Sequence, residues 1–285
     1  MTTSPSAHHP TGADPTPDPT PEPPAEHPTP EPARSARAHS FNAAAAQYAA
    51  NRPSYPPALF DAIEDLTGRP LTGTRVADVG AGTGTGIATA LLHARGADVV
   101  AVEPGDGMAA QFRRTLPGIP VIRGTGDALP LADASADLVT YAQAWHWTDP
   151  ARAVPEALRV LRPGGALALW WNTDALDVPW LAEAAARIAR HFDIDVSAEK
   201  RNVSARAADP TGLLDFTRRT VRWSRRVPVD THLANLASHS VFLVTGAEHT
   251  ATFLAEEREH LLRAFPDGVV EEVYEVVLLL ARTPA

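Results

Sequence analysis

From about residue 57 onward the chain switches between two hydrophobic patterns. Short, nearly unbroken apolar runs read as strands buried on both faces. They are Thr74 to Val79, Ala97 to Pro104 (with Val99, Val100 and Val102), Val121-Ile122, Asp137 to Ala142 and Ala166 to Trp171. Between them apolar residues return every three or four positions, which predicts helices over Pro57 to Leu66, Ile87 to His93, Gly105 to Thr115 and Asp149-Pro150 through Leu161. Strands alternating with helices predict crossover units and a mostly parallel sheet with helices on both faces. The pattern loosens from Thr173 to about Asp215, where one amphipathic helix, Trp180 to Phe192, precedes a charged, poorly periodic stretch, Ala198 to Pro210. Phe216 to Val227 alternates in strand fashion, Asp230 to Val244 and Ala251 to Phe265 read as helices, and Val269 to Ala281 is so apolar that it reads as a central strand.

Residues 1–38 follow neither pattern. TGADPTPDPTPEPPAEHPTPEP is proline, threonine and acid with almost nothing to bury, which predicts a disordered or polyproline-like tail. It has no apolar core after a basic start and so is not a secretory signal. It reads as a solubilising extension, with a partner-binding tail as the alternative. The folded domain is expected over residues 39–285. At its start a helix over Asn42 to Ala50 should break at Arg52-Pro53 and again at Tyr55-Pro56-Pro57.

Chemistry enters at the end of the first strand. Asp78-Val-Gly80-Ala81-Gly82-Thr83-Gly84 removes side chains where a strand turns into a helix, so a ligand can lie against main chain. The dinucleotide fingerprint G-x-G-x-x-G fails on both registers, because its third glycine falls at Thr85 or at Ile87. Glu103 ends the second strand about twenty residues later, where an acid can accept from ribose hydroxyls in either kind of nucleotide site. Asp127, in a turn after the third strand, either binds a ligand amino group or caps the turn. Gln143-Ala-Trp145-His146-Trp147 leaves the fourth strand at the expected switch point, although two tryptophans also suit simple packing.

The acid followed by alternating glycines resembles the first motif of class I S-adenosylmethionine-dependent methyltransferases. Three further stretches resemble one small-molecule branch of that family, which includes trans-aconitate methyltransferase-like enzymes. They are Y-x-x-x-R-P-x-Y-P from Tyr48 to Pro56, A-Q-A-W-H-W-T-D from Ala142 to Asp149, and L-R-P-G-G from Leu161 to Gly165. The last reads as a structural turn that contacts nothing. The resemblance spans Phe41 to Trp171 strongly and the remainder weakly. It implies a Rossmann-like seven-stranded, mostly parallel sheet with an antiparallel last strand, plus a small helical lid inserted at about 173–215. It implies S-adenosyl-L-methionine as cofactor, held by Asp78, Gly80, Ala81, Gly82, Thr83, Gly84, Glu103, Pro104, Met108, Asp127, Ala128 and Gln143, with Tyr48 and Arg52 folding over it. Tyr55, Trp145, Trp147 and Asn172 are then expected around the acceptor, and His146 as a base or an acceptor-orienting donor. Core packing is an equal reading for Met108, Tyr48, Arg52 and Tyr55. His191 and its neighbouring arginines read as a solvated helical face, with an acidic acceptor as the sharper alternative.

Charge and cysteine content narrow the partners. With 25 Lys+Arg against 34 Asp+Glu and no basic stripe, a nucleic-acid partner is disfavoured. The absence of cysteine removes disulfides and thiolate metal sites, and no metal use is implied. No stretch has the length of a membrane span. The expectation is therefore a cytoplasmic methyltransferase acting on a small-molecule acceptor, with oligomeric state unread. Its rivals are a non-catalytic S-adenosylmethionine binder and an NAD-dependent oxidoreductase.

Overall fold

A computed structural model describes residues 51–82, 86–193, 204–239, 241–242 and 247–284. The expected tail and the helix Asn42 to Ala50 lie outside these residues. Seven strands form one sheet in the order β3-β2-β1-β4-β5-β7-β6. They are β1 (Arg75–Val79), β2 (Asp98–Glu103), β3 (Val121–Arg123), β4 (Ala136–Ala142), β5 (Leu161–Asp174), β6 (Thr217–Pro228) and β7 (Val269–Arg282). β1 to β5 pair in parallel, and β7 runs antiparallel between β5 and β6. The apolar run that read as a central strand is thus central, and it enters antiparallel as expected.

Two helical layers cover the sheet. One face buries Val76, Val99, Ala101, Leu138, Ala166, Ala168 and Trp170 beneath α1 (Pro57–Thr67), α2 (Ile87–Ala94) and α3 (Asp106–Thr115). The other buries Ala77, Val79, Val139, Tyr141, Leu167, Leu169 and Trp171 beneath α4 (Pro150–Val160). In β5 the even and odd positions divide between the layers, as the two-residue period of a strand requires. Each layer is locked by large apolar side chains: Phe60 and Phe112 in the first are at most 1% exposed. Truncating such a side chain to alanine costs about 3–5 kcal/mol. Asp149 caps α4 by accepting from the Ala151 N–H, with Pro150 at its first turn, which is why that helix begins where the sequence placed it.

A separate helical group lies at the β6–β7 end. It joins α5 (Pro179–Phe192), α7 (Val229–Ala237) and α8 (Ala247–Ala264), while the short α6 (Ala205–Ala208) lies against Trp145. Leu236, Phe242 and Phe253 pack with Ile188 and Phe192, and Leu233, Leu261 and Val270 with Trp180 and Phe265. Of these three helices only α5 comes from within 173–215, and the other two come from between β6 and β7. The helix expected from Asp230 to Val244 is closed at Ala237. The face of α5 expected to be solvated is instead packed: Arg187 makes a two-pronged ion pair with Glu257, itself 1% exposed, at 2.6 and 2.7 Å, and His191 stacks on His249. The L-R-P-G-G turn also makes contacts. The Gly164 carbonyl accepts from Arg69 at 2.6 Å and Arg162 pairs with Asp137 at 3.1 Å, so β5 begins at Leu161 instead of Ala166.

Candidate active site

The chain leaves β1 toward α2 on one face of the sheet and leaves β4 toward α4 on the other. Such a reversal opens a crevice at the carboxyl ends of the two strands. There the glycine turn lies against the start of the next loop. Gly80 has φ +68°, and a Cβ built on it would stand 2.5 Å from the Ala144 Cβ. Only a residue without a side chain fits both the left-handed backbone and that approach. Gly82, at φ +74°, continues the turn, while Gly80 and Ala81 both donate their N–H groups to the Val102 carbonyl, at 2.8 and 3.2 Å. The turn is therefore tied to the end of β2. Thr83 and Gly84 lie outside the described residues, as does Tyr48.

Glu103 is the acid at that strand end, 5% exposed. Its Oε2 accepts from the Gly82 N–H at 3.0 Å and its Oε1 from the Gly105 N–H at 2.7 Å. Burial pushes its pKa up, and the two N–H donors and Arg123 offset part of that rise. A carboxylate has about four acceptor positions, so two remain for ligand hydroxyls. Pro104 follows, its carbonyl accepting from Arg123. Met108 is 6% exposed in α3.

Asp78 departs from the expectation of a cofactor-facing acid. It is fully buried, accepting from Thr89 Oγ1 at 2.5 Å and Thr140 Oγ1 at 2.8 Å. Its carboxylate thus joins β1, α2 and β4 beneath the turn. Burial, partly offset by the two threonines, raises its pKa to about 6. Asp127 accepts from the Asp149 N–H at 2.9 Å, holding the turn that carries Ala128 against the start of α4. Ala128 is exposed, and Asp127 is partly so.

The loop after β4 divides its residues. Gln143 takes φ +58°, donates its main-chain N–H to the Trp170 carbonyl and reaches the Asn172 carbonyl at 3.4 Å. Trp145 does not face the acceptor side. It is 2% exposed, edge-on to Tyr141, and donates its indole N–H to the Ala208 carbonyl at 3.1 Å. Its size and its single donor are both satisfied inside the core. Tyr55 likewise turns its ring onto Trp170, at 5.9 Å between centroids. Trp147 is half-buried beside the His146 ring, 4.5 Å away. His146 keeps exposed surface, yet its imidazole is pushed down to about 4 by loss of hydration first and by the Arg52 guanidinium second.

Asn172 joins several elements. Its Nδ2 donates to the Ser54 carbonyl at 3.2 Å, and its Oδ1 accepts from Trp223 Nε1 at 3.1 Å. Arg52, on the same arm as Ser54, donates to the Ser238 carbonyl just beyond α7 at 3.1 Å. Sequence reasoning missed the residues beyond: Trp223 stacked on Tyr274, and Arg225 and His232 on Glu272. One signal was present, three acids (Glu271, Glu272 and Glu275) within the largely apolar β7 segment.

A mostly parallel α/β sheet with a main-chain cradle and an acid at the next strand's end is an arrangement that suits a nucleoside ligand. The comparisons narrow this class. Residues 78–169 match the model of the methyltransferase domain. An uncharacterized methyltransferase of Mycobacterium tuberculosis is 39% identical over 227 residues, covering 80% of this chain and 87% of the relative. A demethylmenaquinone methyltransferase of Beutenbergia cavernae is 42% identical over 106 residues, 37% of this chain and 42% of the relative. Among solved structures, a candidate type II methyltransferase from Anaeromyxobacter dehalogenans shares the fold at a TM-score of 0.56 and 24% identity, covering 82% of this chain and 99% of that one. The chain belongs to the class I S-adenosylmethionine-dependent methyltransferases, and its cofactor is S-adenosylmethionine.

Proposed function

We propose that the protein transfers a methyl group from S-adenosylmethionine to the oxygen or nitrogen of a small-molecule acceptor, carboxylates included, by in-line displacement. The observation that carries this reading is the meeting of Gly80 and Ala144, with Glu103 to one side and the Gln143–Trp147 loop to the other. S-adenosylmethionine, when bound, supplies a methyl group already activated by a positive sulfur. Glu103 has acceptor positions for both ribose hydroxyls. Gly80 to Gly82 would lie beneath the ribose and methionine portion, and Asp127 with Ala128 would meet the adenine edge. Arg52 and Gln143 would enclose the methionine end. The protein's remaining task is to align nucleophile and methyl carbon and to exclude water.

His146, held near 4, is neutral at pH 7 and accepts a hydrogen bond from the acceptor's N–H or O–H. So low a value makes it a weak proton sink, which favours an orienting role over that of a strong base. An acceptor that is already a carboxylate needs no base. Calorimetry with S-adenosylmethionine and with NAD, followed by mass-spectrometric detection of methylated products from a metabolite library, tests the reading. Binding of S-adenosylmethionine with a methylated product is expected. Binding without any product would make the protein a non-catalytic binder, and binding of NAD alone would make it an oxidoreductase.

A further inference from the structure

β6 is the last strand of the sheet, and no strand lies along its outer edge among the described residues. It pairs with β7 without a register shift from Thr217 to Pro228. The Val229 N–H continues that register by donating to the Gly268 carbonyl at 2.9 Å. Main-chain groups alternate in direction along an antiparallel strand. The odd-numbered residues of β6 therefore turn their N–H and C=O groups to β7, and the even-numbered ones turn theirs outward. Pro228, which has no N–H, falls in the outward set, as a proline in an edge strand should. Arg218, Thr220, Arg222, Ser224 and Arg226 thus offer main-chain donors and acceptors on the free edge, and all five are exposed. Their side chains share one face, because Val221 and Trp223 pack on the other, toward the layer of α1. That face carries an arginine every fourth residue, about 13 Å apart.

The chain holds a segment with the complementary pattern. Asp14-Pro-Thr-Pro-Asp18-Pro-Thr-Pro-Glu22 has proline at every odd position and an N–H at every even one. Such a segment cannot serve as an inner strand. As an outermost strand it forfeits no hydrogen bond, because every proline nitrogen faces solvent. Its even residues read acid, threonine, acid, threonine, acid. Laid antiparallel with Asp18 opposite Arg222, it sets Asp14 opposite Arg226 and Glu22 opposite Arg218. Thr16 then meets Ser224 and Thr20 meets Thr220. Opposite charges and paired hydroxyls directly across a ladder are favourable. Arg222 already pairs with Asp177 and Arg226 with Asp267, at 2.8 and 3.6 Å, but all four side chains are exposed and such pairs exchange readily. Arg218 has no ion pair among the described residues. The path is short: the Asn51 carbonyl accepts from Arg225 Nη2 at 3.2 Å, so the chain preceding it arrives on β6 itself. Residues 23–50 can span far more than the roughly 23 Å from Arg225 to Arg218. A second copy of β6 centred on Arg222 would set Arg222 against itself and Arg218 against Arg226, which repel.

We propose that the outer edge of β6 is a docking site for the chain's own residues 14–22, which add to it as an antiparallel strand with Asp18 opposite Arg222. Alternate prolines make the added strand one-sided. It pairs inward through Asp14, Thr16, Asp18, Thr20 and Glu22 and offers no N–H outward, so it closes an edge that would otherwise invite another chain. The match ends where the alternation ends, at Pro23-Pro24. This inference is independent of the methyltransferase reading above.

Amide hydrogen exchange of the full chain, read residue by residue by NMR at low ionic strength, tests it. The comparison is with the double variant Thr16→Pro/Thr20→Pro, which deletes two inward donors of the tail and changes no charge. The amides of Arg218, Thr220, Arg222, Ser224 and Arg226 are expected to exchange at least about tenfold more slowly in the native protein than in that variant. The odd-numbered amides of β6, bonded to β7, are expected to exchange alike in both. Equal exchange of the even-numbered amides in the two proteins would overturn the proposal. Charge reversal then tests the register. Glu22→Arg is expected to lower the protection, and Glu22→Arg/Arg218→Glu to restore it. A double variant no better protected than Glu22→Arg would overturn the register proposed. Protection that fades on tenfold dilution would give the edge to a second copy of the chain and sink the intrachain assignment.

Discussion

The half of the sheet proposed to carry the cofactor and the half that carries the helical group solve their problems with different materials. Around β1, β2 and β4 the site is made of main chain: two glycines at positive φ, N–H groups aimed at Val102 and at Glu103, and one close approach at Ala144. Around β6 and β7 it is made of long side chains from distant positions, such as Arg187 on Glu257 and Arg225 on Glu272. A main-chain cradle needs particular residue types at short spacing, so it is rigid and specific for a constant ligand. A side-chain network can change its members without changing the fold.

The largest effect is expected in the second half. Arg225→Ala leaves Glu272 buried with one partner fewer, and losing one member of such a pair costs about 3–5 kcal/mol of stability. Urea unfolding measures it, and calorimetry on the same variant should find S-adenosylmethionine affinity unchanged. A parallel loss of affinity would break the division between the halves. Next comes Gly80→Val, which forces a β-branched side chain into a left-handed backbone and against Ala144. Cofactor affinity is expected to fall at least about a hundredfold, roughly 2.7 kcal/mol. Glu103→Gln keeps the shape but sets an amide N–H against one of two main-chain N–H donors. Hydrogen bonds to charged groups are worth about 1.5–3 kcal/mol, so a loss of roughly ten- to a hundredfold in affinity is expected by the same titration. For His146→Ala a smaller loss, about tenfold in kcat/KM at saturating S-adenosylmethionine, fits an orienting role. A loss of a thousandfold would restore the strong-base reading.

The smallest effect is on the pH dependence of stability. Asp78 has a folded pKa of about 6, above its ordinary value, so the folded state holds more protons between about pH 4 and 6. Its contribution falls as pH rises through that window. His146 lies below its ordinary value at about 4, so the unfolded state holds more protons and its contribution rises with pH over nearly the same interval. Asp78→Asn should leave the rising slope and His146→Gln the falling one, read from unfolding free energies at a series of pH values.

The same division governs how much the sequence discloses. The glycine turn, Glu103 and the strands of the parallel sheet were legible because the constraint and its cause lie within a few residues, in period, glycine and proline. Asp78 was misread because its partners Thr89 and Thr140 come from two other elements, and only the fold makes them neighbours. Trp145 was misplaced for a related reason: its indole N–H finds Ala208, 63 positions away. The packing of α5 with α7 and α8 was not legible, because α7 and α8 read as ordinary helices and only the fold sets them against α5.

The placement of β7 between β5 and β6 also sets an order of assembly. β6 precedes β7 along the chain but has no strand to pair with until β7 is present. The five parallel strands can therefore collapse with their helices while β6 waits, and the two last strands must zip together across the intervening α7 and α8. That closure needs β7 placed on β5, which joins Asn172 to Val276, 104 positions on, and it should be the slow phase of refolding. In a stopped-flow experiment Trp223, which gains its Tyr274 stack only when β6 and β7 pair, would report this phase.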